Sequence, residues 1–278
     1  VVLTKLLKDI AKIWTKYKWS YINGIRNTIL LAFIGTVLGC IIGFVCGILQ
    51  TIPVSKKDHP IKKAAVYAIR GIVRAYVEIF RGTPMVLQAV FFYYGLSYLT
   101  NGALNFTDPW TCSIFVVSIN TGAYMAETVR GGILAIERGQ TEGAKAIGMS
   151  HVQTMLYVIL PQTLRNILPQ IGNNYIINIK DTSVMFMISF TELFAAHRSV
   201  AGATYQYFPS AAIEMVAYLC LTLASSVILR LWEKKLAGKS SYELATADQL
   251  SPTAGTLNSP QKGSNFDERH IETKGGQN

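Results

Sequence analysis

Lys180 and Asp181 are adjacent charges of opposite sign, set in a mostly apolar run between Leu164 and Phe190. Ionisable residues inside such a run are functional candidates by default, because a charge held away from water must be used or neutralised. On a helix the two side chains point about 100° apart, and Thr182 and Ser183 add hydroxyls beside them. Asn120 and Tyr124, four residues apart, share a face of an earlier apolar run, and Glu214 stands at the start of a later one. Such a set could hold a small molecule carrying both charges. Lys180 and Asp181 could equally pair with neighbouring segments or form a gate.

Other polar groups read as structural. Arg74 and Glu78 form an i,i+4 pair on one helix face, with Arg81 beyond them. Glu127 and Arg130 suit anchor or gate positions at the end of an apolar run. His59, His151, His197 and His270 are dispersed, and Cys40, Cys46, Cys112 and Cys220 form no C-x-x-C pair. Neither a metal site nor a disulfide framework is indicated. No G-x-x-x-x-G-K-[ST] phosphate loop occurs, so nucleotide chemistry is not expected on this chain.

The elements that would position these residues are membrane spans. Charged residues make up only 15% of the chain, against about 25% in soluble domains. Arg26 to Lys56, Arg81 to Asp108 and Asp108 to Glu127 enclose stretches without a single Asp, Glu, Lys, Arg or His, and crossing a bilayer takes about 20 apolar residues. Five spans are expected, at roughly 28–50, 84–99, 110–126, 164–190 and 211–231, in an all-α membrane protein. Gly35, Gly39, Gly43 and Gly47 recur every fourth residue in the first span, a stripe that lets another helix approach closely.

Residues 1–27 read as a basic amphipathic segment able to rest in the headgroup layer. Residues 28–235 form the membrane domain, and 236–278 a disordered polar tail. The connections holding Lys56 to Arg81, Arg130 to Arg165 and Arg230 to Lys239 carry fifteen Lys and Arg, which marks them as cytoplasmic. The amino terminus is then outside despite its six cations, because the reverse orientation would export the fifteen. The net charge of +10 follows from this bias rather than from nucleic-acid binding.

The connection after the third span reads Glu142-Gly-Ala-Lys-Ala-Ile-Gly148 and runs on to Val158-Ile-Leu-Pro161. Thr141 is expected as N-cap, Glu142 in the first turn, Lys145 near the last, and Gly148 in the left-handed C′ position. A short capped helix projecting from a membrane domain suits docking to a soluble partner. Its spacing resembles the EAA loop of ABC-importer permeases. Gly143 stands where the family has Ala and Val158 where it has Ile; Gly143 should loosen the helix by about 1 kcal/mol. Tyr76-Val-Glu-Ile-Phe-Arg-Gly-Thr-Pro84, Ala123-Tyr-Met-Ala-Glu-Thr-Val-Arg-Gly-Gly132, Lys180-Asp-Thr-Ser183 and Thr191-Glu-Leu193 extend the resemblance towards the polar amino-acid branch, from about Thr28 to Lys235.

The resemblance implies a type I ABC importer permease with five spans and a short cytoplasmic coupling helix, in a bacterial cytoplasmic membrane. Glu142, Gly143, Ala144, Lys145 and Gly148 would contact a separate ATPase subunit. A second permease, itself or a paralogue, would complete the path, and an extracellular binding protein would deliver the amino acid. ATP and Mg would sit on the partner, leaving this chain without catalysis or cofactor. An amino acid is a zwitterion, which suits Lys180 and Asp181. The rival reading is an ion-gradient-driven secondary transporter or channel, but such proteins tend to show internal repeats, and none is evident.

Overall fold

The computed structural model describes residues 2–55 and 58–236. Lys56, Lys57 and the tail expected beyond Leu236 fall outside the described residues. Among the described residues every regular element is a helix: α1 (Val2–Thr51), α2 (Pro60–Gly82), α3 (Met85–Leu99), α4 (Pro109–Leu134), α5 (Arg138–Ala146), α6 (residues 151–181), α7 (Leu193–Thr204) and α8 (Tyr207–Leu236). A π-helical stretch interrupts α3 at Phe91–Gly95 and α6 at Thr154–Ile159, and α6 runs on into a 3-10 segment, Thr182–Ile188.

The glycine stripe sets the central packing. A Cβ added at Gly35 would come within 2.4 Å of Val117, at Gly39 within 2.6 Å of Thr121, at Gly43 within 2.3 Å of Met125 and at Gly47 within 2.7 Å of Val129. Each four-residue step on α1 thus meets a four-residue step on α4, so the two helices run parallel in a constant register. Close backbone approach of this kind is what small residues permit between membrane helices. Leu31, Val116, Val117, Met185, Ile188 and Phe190 fill one core around it.

Several boundaries differ from those expected. Residues 1–27 do not form a separate surface helix; α1 is unbroken over 50 residues. Gly24 lies against the Glu192–Leu193 backbone, where a Cβ would approach to 2.9 Å. The α2 helix packs along α1 and α4. Its Val66, Val73 and Val77 are buried, and the Tyr76 hydroxyl donates to the Ile119 carbonyl at 2.7 Å. The α2 and α3 helices therefore make one broken path beside α4, with Arg81-Gly82-Thr83-Pro84 at the break. The α-helix of the fourth span ends at Asp181 and continues in 3-10 form.

Candidate functional site

The break between α2 and α3 opens onto a cavity of about 540 Å³, lined by Arg81 to Met85, by Asn120, Thr121 and Tyr124 of α4, and by Asn174, Ile177, Asn178 and Asp181 of α6. The break leaves helix-end carbonyls without intrahelical partners. Gln88 supplies them: its Nε2 donates to the Phe80 carbonyl (3.0 Å), the Thr83 carbonyl (3.0 Å) and the Thr83 hydroxyl (2.9 Å). Asn120 completes the set, donating to the Phe80 carbonyl and to Gln88 Oε1, both at 3.1 Å. The break is thus held open by side chains, which gives the cavity a fixed wall.

The opposite wall is tied to the glycine-packed pair. Asn178, buried on α6, donates to Thr36 Oγ1 (2.8 Å) and Thr121 Oγ1 (3.0 Å). Asn174 donates to the Gln170 carbonyl at 3.0 Å. Charges of both signs meet the cavity. Arg81 pairs with Glu127, which also accepts from Arg130 at 2.7 Å, and the Arg81 guanidinium lies 5.3 Å from the Tyr124 ring centroid. Two guanidiniums share one carboxylate, so this group keeps a net positive charge. Across from it, no ion pair among the described residues engages Asp181.

Of the residues singled out in the sequence, Asn120, Tyr124 and Asp181 meet at this cavity. Lys180 is exposed and does not line it, because one helical step turns it away from Asp181. Thr182 is buried and returns its hydroxyl to the Ile179 carbonyl at 3.0 Å. Ser183 is half-buried outside the lining. Glu214 lies elsewhere, its carboxylate 3.9 Å from His197 Nε2. That second cluster also holds Glu192, fully buried, which accepts from the backbone N–H groups of Phe194 and Ala195 (2.7 Å each) and from the Tyr218 hydroxyl (2.8 Å). Sequence pattern gives Arg81 a structural role and does not single out Gln88, Asn174 or Asn178, all of which belong to the cavity or its wall. For each of the three, an amide inside an apolar run is the available signal.

The α5 helix presents a second candidate surface. It starts at Arg138 after Glu137, so Thr141 is not its N-cap and Glu142 lies in the second turn; the chain turns at Ala135–Glu137 and re-enters helix at once. Its end is as expected. Lys145 is in the last turn, Gly148 has φ +84°, and the N–H groups of Gly148 and Met149 bond the carbonyls of Lys145 (3.0 Å) and Ala144 (3.1 Å). That is a Schellman closure. Ala144 is buried, whereas Glu142, Gly143 and Lys145 are exposed, and Ile147, Val152, Leu156 and Tyr157 present uncovered apolar surface beside them.

Residues 65–238 match the family described as the binding-protein-dependent transport system inner membrane component. The chain belongs to that family. It is accordingly an inner-membrane, multi-pass permease subunit of a binding-protein-dependent ABC importer. The glutamine transport system permease protein GlnP of Escherichia coli (strain K12) is 34% identical over 215 residues, covering 77% of this chain and 92% of that protein. The nopaline transport system permease protein NocM of Agrobacterium fabrum is 29% identical, covering 75% and 84%. A solved structure described as an amino acid ABC transporter with histidines shares 31% identity and a TM-score of 0.69, covering 80% of this permease and 96% of that chain.

Proposed function

We propose that this permease subunit moves polar amino acids through the cavity at the α2–α3 break, driven by a separate ATPase. The observation that carries this reading is the meeting of Asp181, the Arg81–Glu127–Arg130 group and a broken helix at one cavity. A zwitterion needs one element for each charge. Asp181 receives the ammonium group. Arg81, with the spare positive charge of its group and the start of α3 beside it, receives the carboxylate. Broken helices at mid-membrane sites serve this purpose in other transporters. The names of relatives, glutamine and nopaline permeases among them, support the polar amino-acid class.

The partners follow from the same reading. The α5 surface around Glu142, Gly143, Ala144, Lys145 and Gly148 docks into the ATPase, which holds ATP and Mg. Five spans cross the membrane, the amino terminus outside and the carboxyl terminus in the cytoplasm. A second permease completes the path. Uptake of radiolabelled glutamine, glutamate, histidine and arginine into proteoliposomes tests the site. Asp181→Asn should lower uptake about tenfold to a hundredfold, corresponding to a charge-assisted hydrogen bond of about 1.5–3 kcal/mol. Uptake at the parent rate would remove Asp181 from the site.

A further inference from the structure

The amino-terminal half of α1 has no part in the cavity or the α5 surface. From the register with α4, Asn27 stands level with Pro109, the first residue of α4. At 1.5 Å per residue the preceding part of α1 extends about 37 Å past that level. It does not extend alone: Ile13 and Tyr21 are buried against Leu193, Ala196 and Val200 of α7, and Ile213 and Ala217 of α8 pack on the same cluster. The Tyr21 hydroxyl lies 2.6 Å from Ser210 Oγ, which lies 2.9 Å from His197 Nδ1.

One stripe of the α1 part of this cap is basic, beside exposed Leu3, Leu7, Trp14 and Trp19. Lys5, Lys8, Lys12 and Lys16 fall at spacings of three and four, which aligns them in one stripe on the helix, opposite the buried Tyr21. All four are exposed, as are Lys18, Arg26 and Arg198. The acids are otherwise engaged. Glu192 is buried as the cap of α7, Glu214 is buried beside His197, and Asp108 caps α4 by accepting from the Thr111 N–H at 3.1 Å. Among the described residues, only half-buried Asp9 stands near the stripe.

With the first span starting near Thr28, most of the stripe stands beyond the reach of lipid headgroups. The headgroup layer adds only about 5–8 Å to each side of the hydrocarbon. Lys5, Lys8 and Lys12 stand about 22–33 Å beyond Asn27 along the helix, and an ordinary tilt of about 20° shortens that by only about 6%. Cations on the outer side also oppose the positive-inside bias.

Resting on the importer reading and its outward amino terminus, we propose that the Lys5–Lys8–Lys12–Lys16 stripe is the surface on which an acidic face of the solute-binding protein docks. The family is binding-protein-dependent, and a stripe of one sign raised clear of the membrane steers an oppositely charged soluble partner. Such steering is worth about tenfold to a thousandfold in association rate and falls with salt.

The test is uptake by the reconstituted transporter as a function of binding-protein concentration. In phosphatidylcholine vesicles, reversing the stripe (K5E, K8E, K12E and K16E together) should raise the half-saturating concentration about tenfold or more and leave the maximal rate unchanged. Raised salt should weaken the parent in the same way and the reversed variant much less. The parent's salt response and the single variant Lys12→Glu decide between the outcomes if the quadruple variant fails to assemble. An unchanged concentration dependence overturns the proposal. So does an effect that appears only when phosphatidylglycerol is added, which would assign the stripe to lipid. Labelling of Lys12→Cys by an impermeant maleimide from the ATPase side would overturn it as well. A parent transporter showing no uptake in response to the binding protein would instead fail the importer reading.

Discussion

Substituting Gly43 by alanine should drive α1 from α4. The added Cβ would lie 2.3 Å from Met125 Cβ, 2.8 Å from the Met125 carbonyl carbon and 2.9 Å from the Ala126 nitrogen. Two of those three atoms are backbone, so no rotamer change relieves the contact and the helices must separate. Overpacking of this sort costs about 1–3 kcal/mol, and separation also loosens the neighbouring Gly39 and Gly47 contacts. Against this, alanine favours an isolated helix over glycine by about 1 kcal/mol. Gly71→Ala isolates that gain, because Gly71 on α2 has nothing within 4 Å of the added atom. Thermal unfolding of the purified permease in detergent should place Gly43→Ala clearly below the parent and Gly71→Ala at or slightly above it. Equal melting temperatures for the two variants would refute the packing argument.

Two further outcomes follow from the α5 surface. Gly148→Ala forces a left-handed residue with a Cβ, at a cost of about 1–2 kcal/mol, and should reduce stimulation of ATP hydrolysis by the loaded binding protein while leaving membrane insertion intact; membrane fractionation beside an ATPase assay reads both. At the start of α6, partial desolvation, with the like charges of Lys145 and Lys62, holds the His151 imidazole below its ordinary range. A depressed imidazole pKa means that neutral His151 supports the fold above the usual value near 6.5 and that this support fades as pH falls through it. Lys145→Ala should therefore raise the His151 midpoint, read from deuterium exchange at its ring carbon by mass spectrometry; an unchanged midpoint would remove Lys145 from the effect.

What could be read from the sequence was local. The glycine stripe showed itself by period alone, because a four-residue repeat defines a helix face whatever packs there. Gly148 and Lys145 were legible for a similar reason: a helix end is a short-range pattern of one glycine and one cation. The Arg74–Glu78 pair, 2.7 Å apart, needs only four residues of helix. The start of α5 was missed because the signal at Thr141 is a propensity, and the turn at Ala135–Glu137, which restarts the helix at Arg138, overrode it.

The cavity was legible only in part, since it joins residues far apart in sequence. Asn120, Tyr124 and Asp181 stand out as polar groups in apolar runs. Arg81 suggests a local role because its partner, Glu127, is 46 residues away. Glu214 satisfies the same rule as Asp181, yet it belongs to the cap with His197. Polarity in an apolar run marks a buried partner or a site, and only tertiary contacts separate the two.

The most direct test of the account follows radiolabelled glutamine into proteoliposomes holding the permease, its ATPase and the binding protein. Uptake that requires both ATP on the ATPase side and the binding protein, and persists when ion gradients are collapsed, is the predicted result. Uptake driven by an ion gradient in the absence of the ATPase would contradict it.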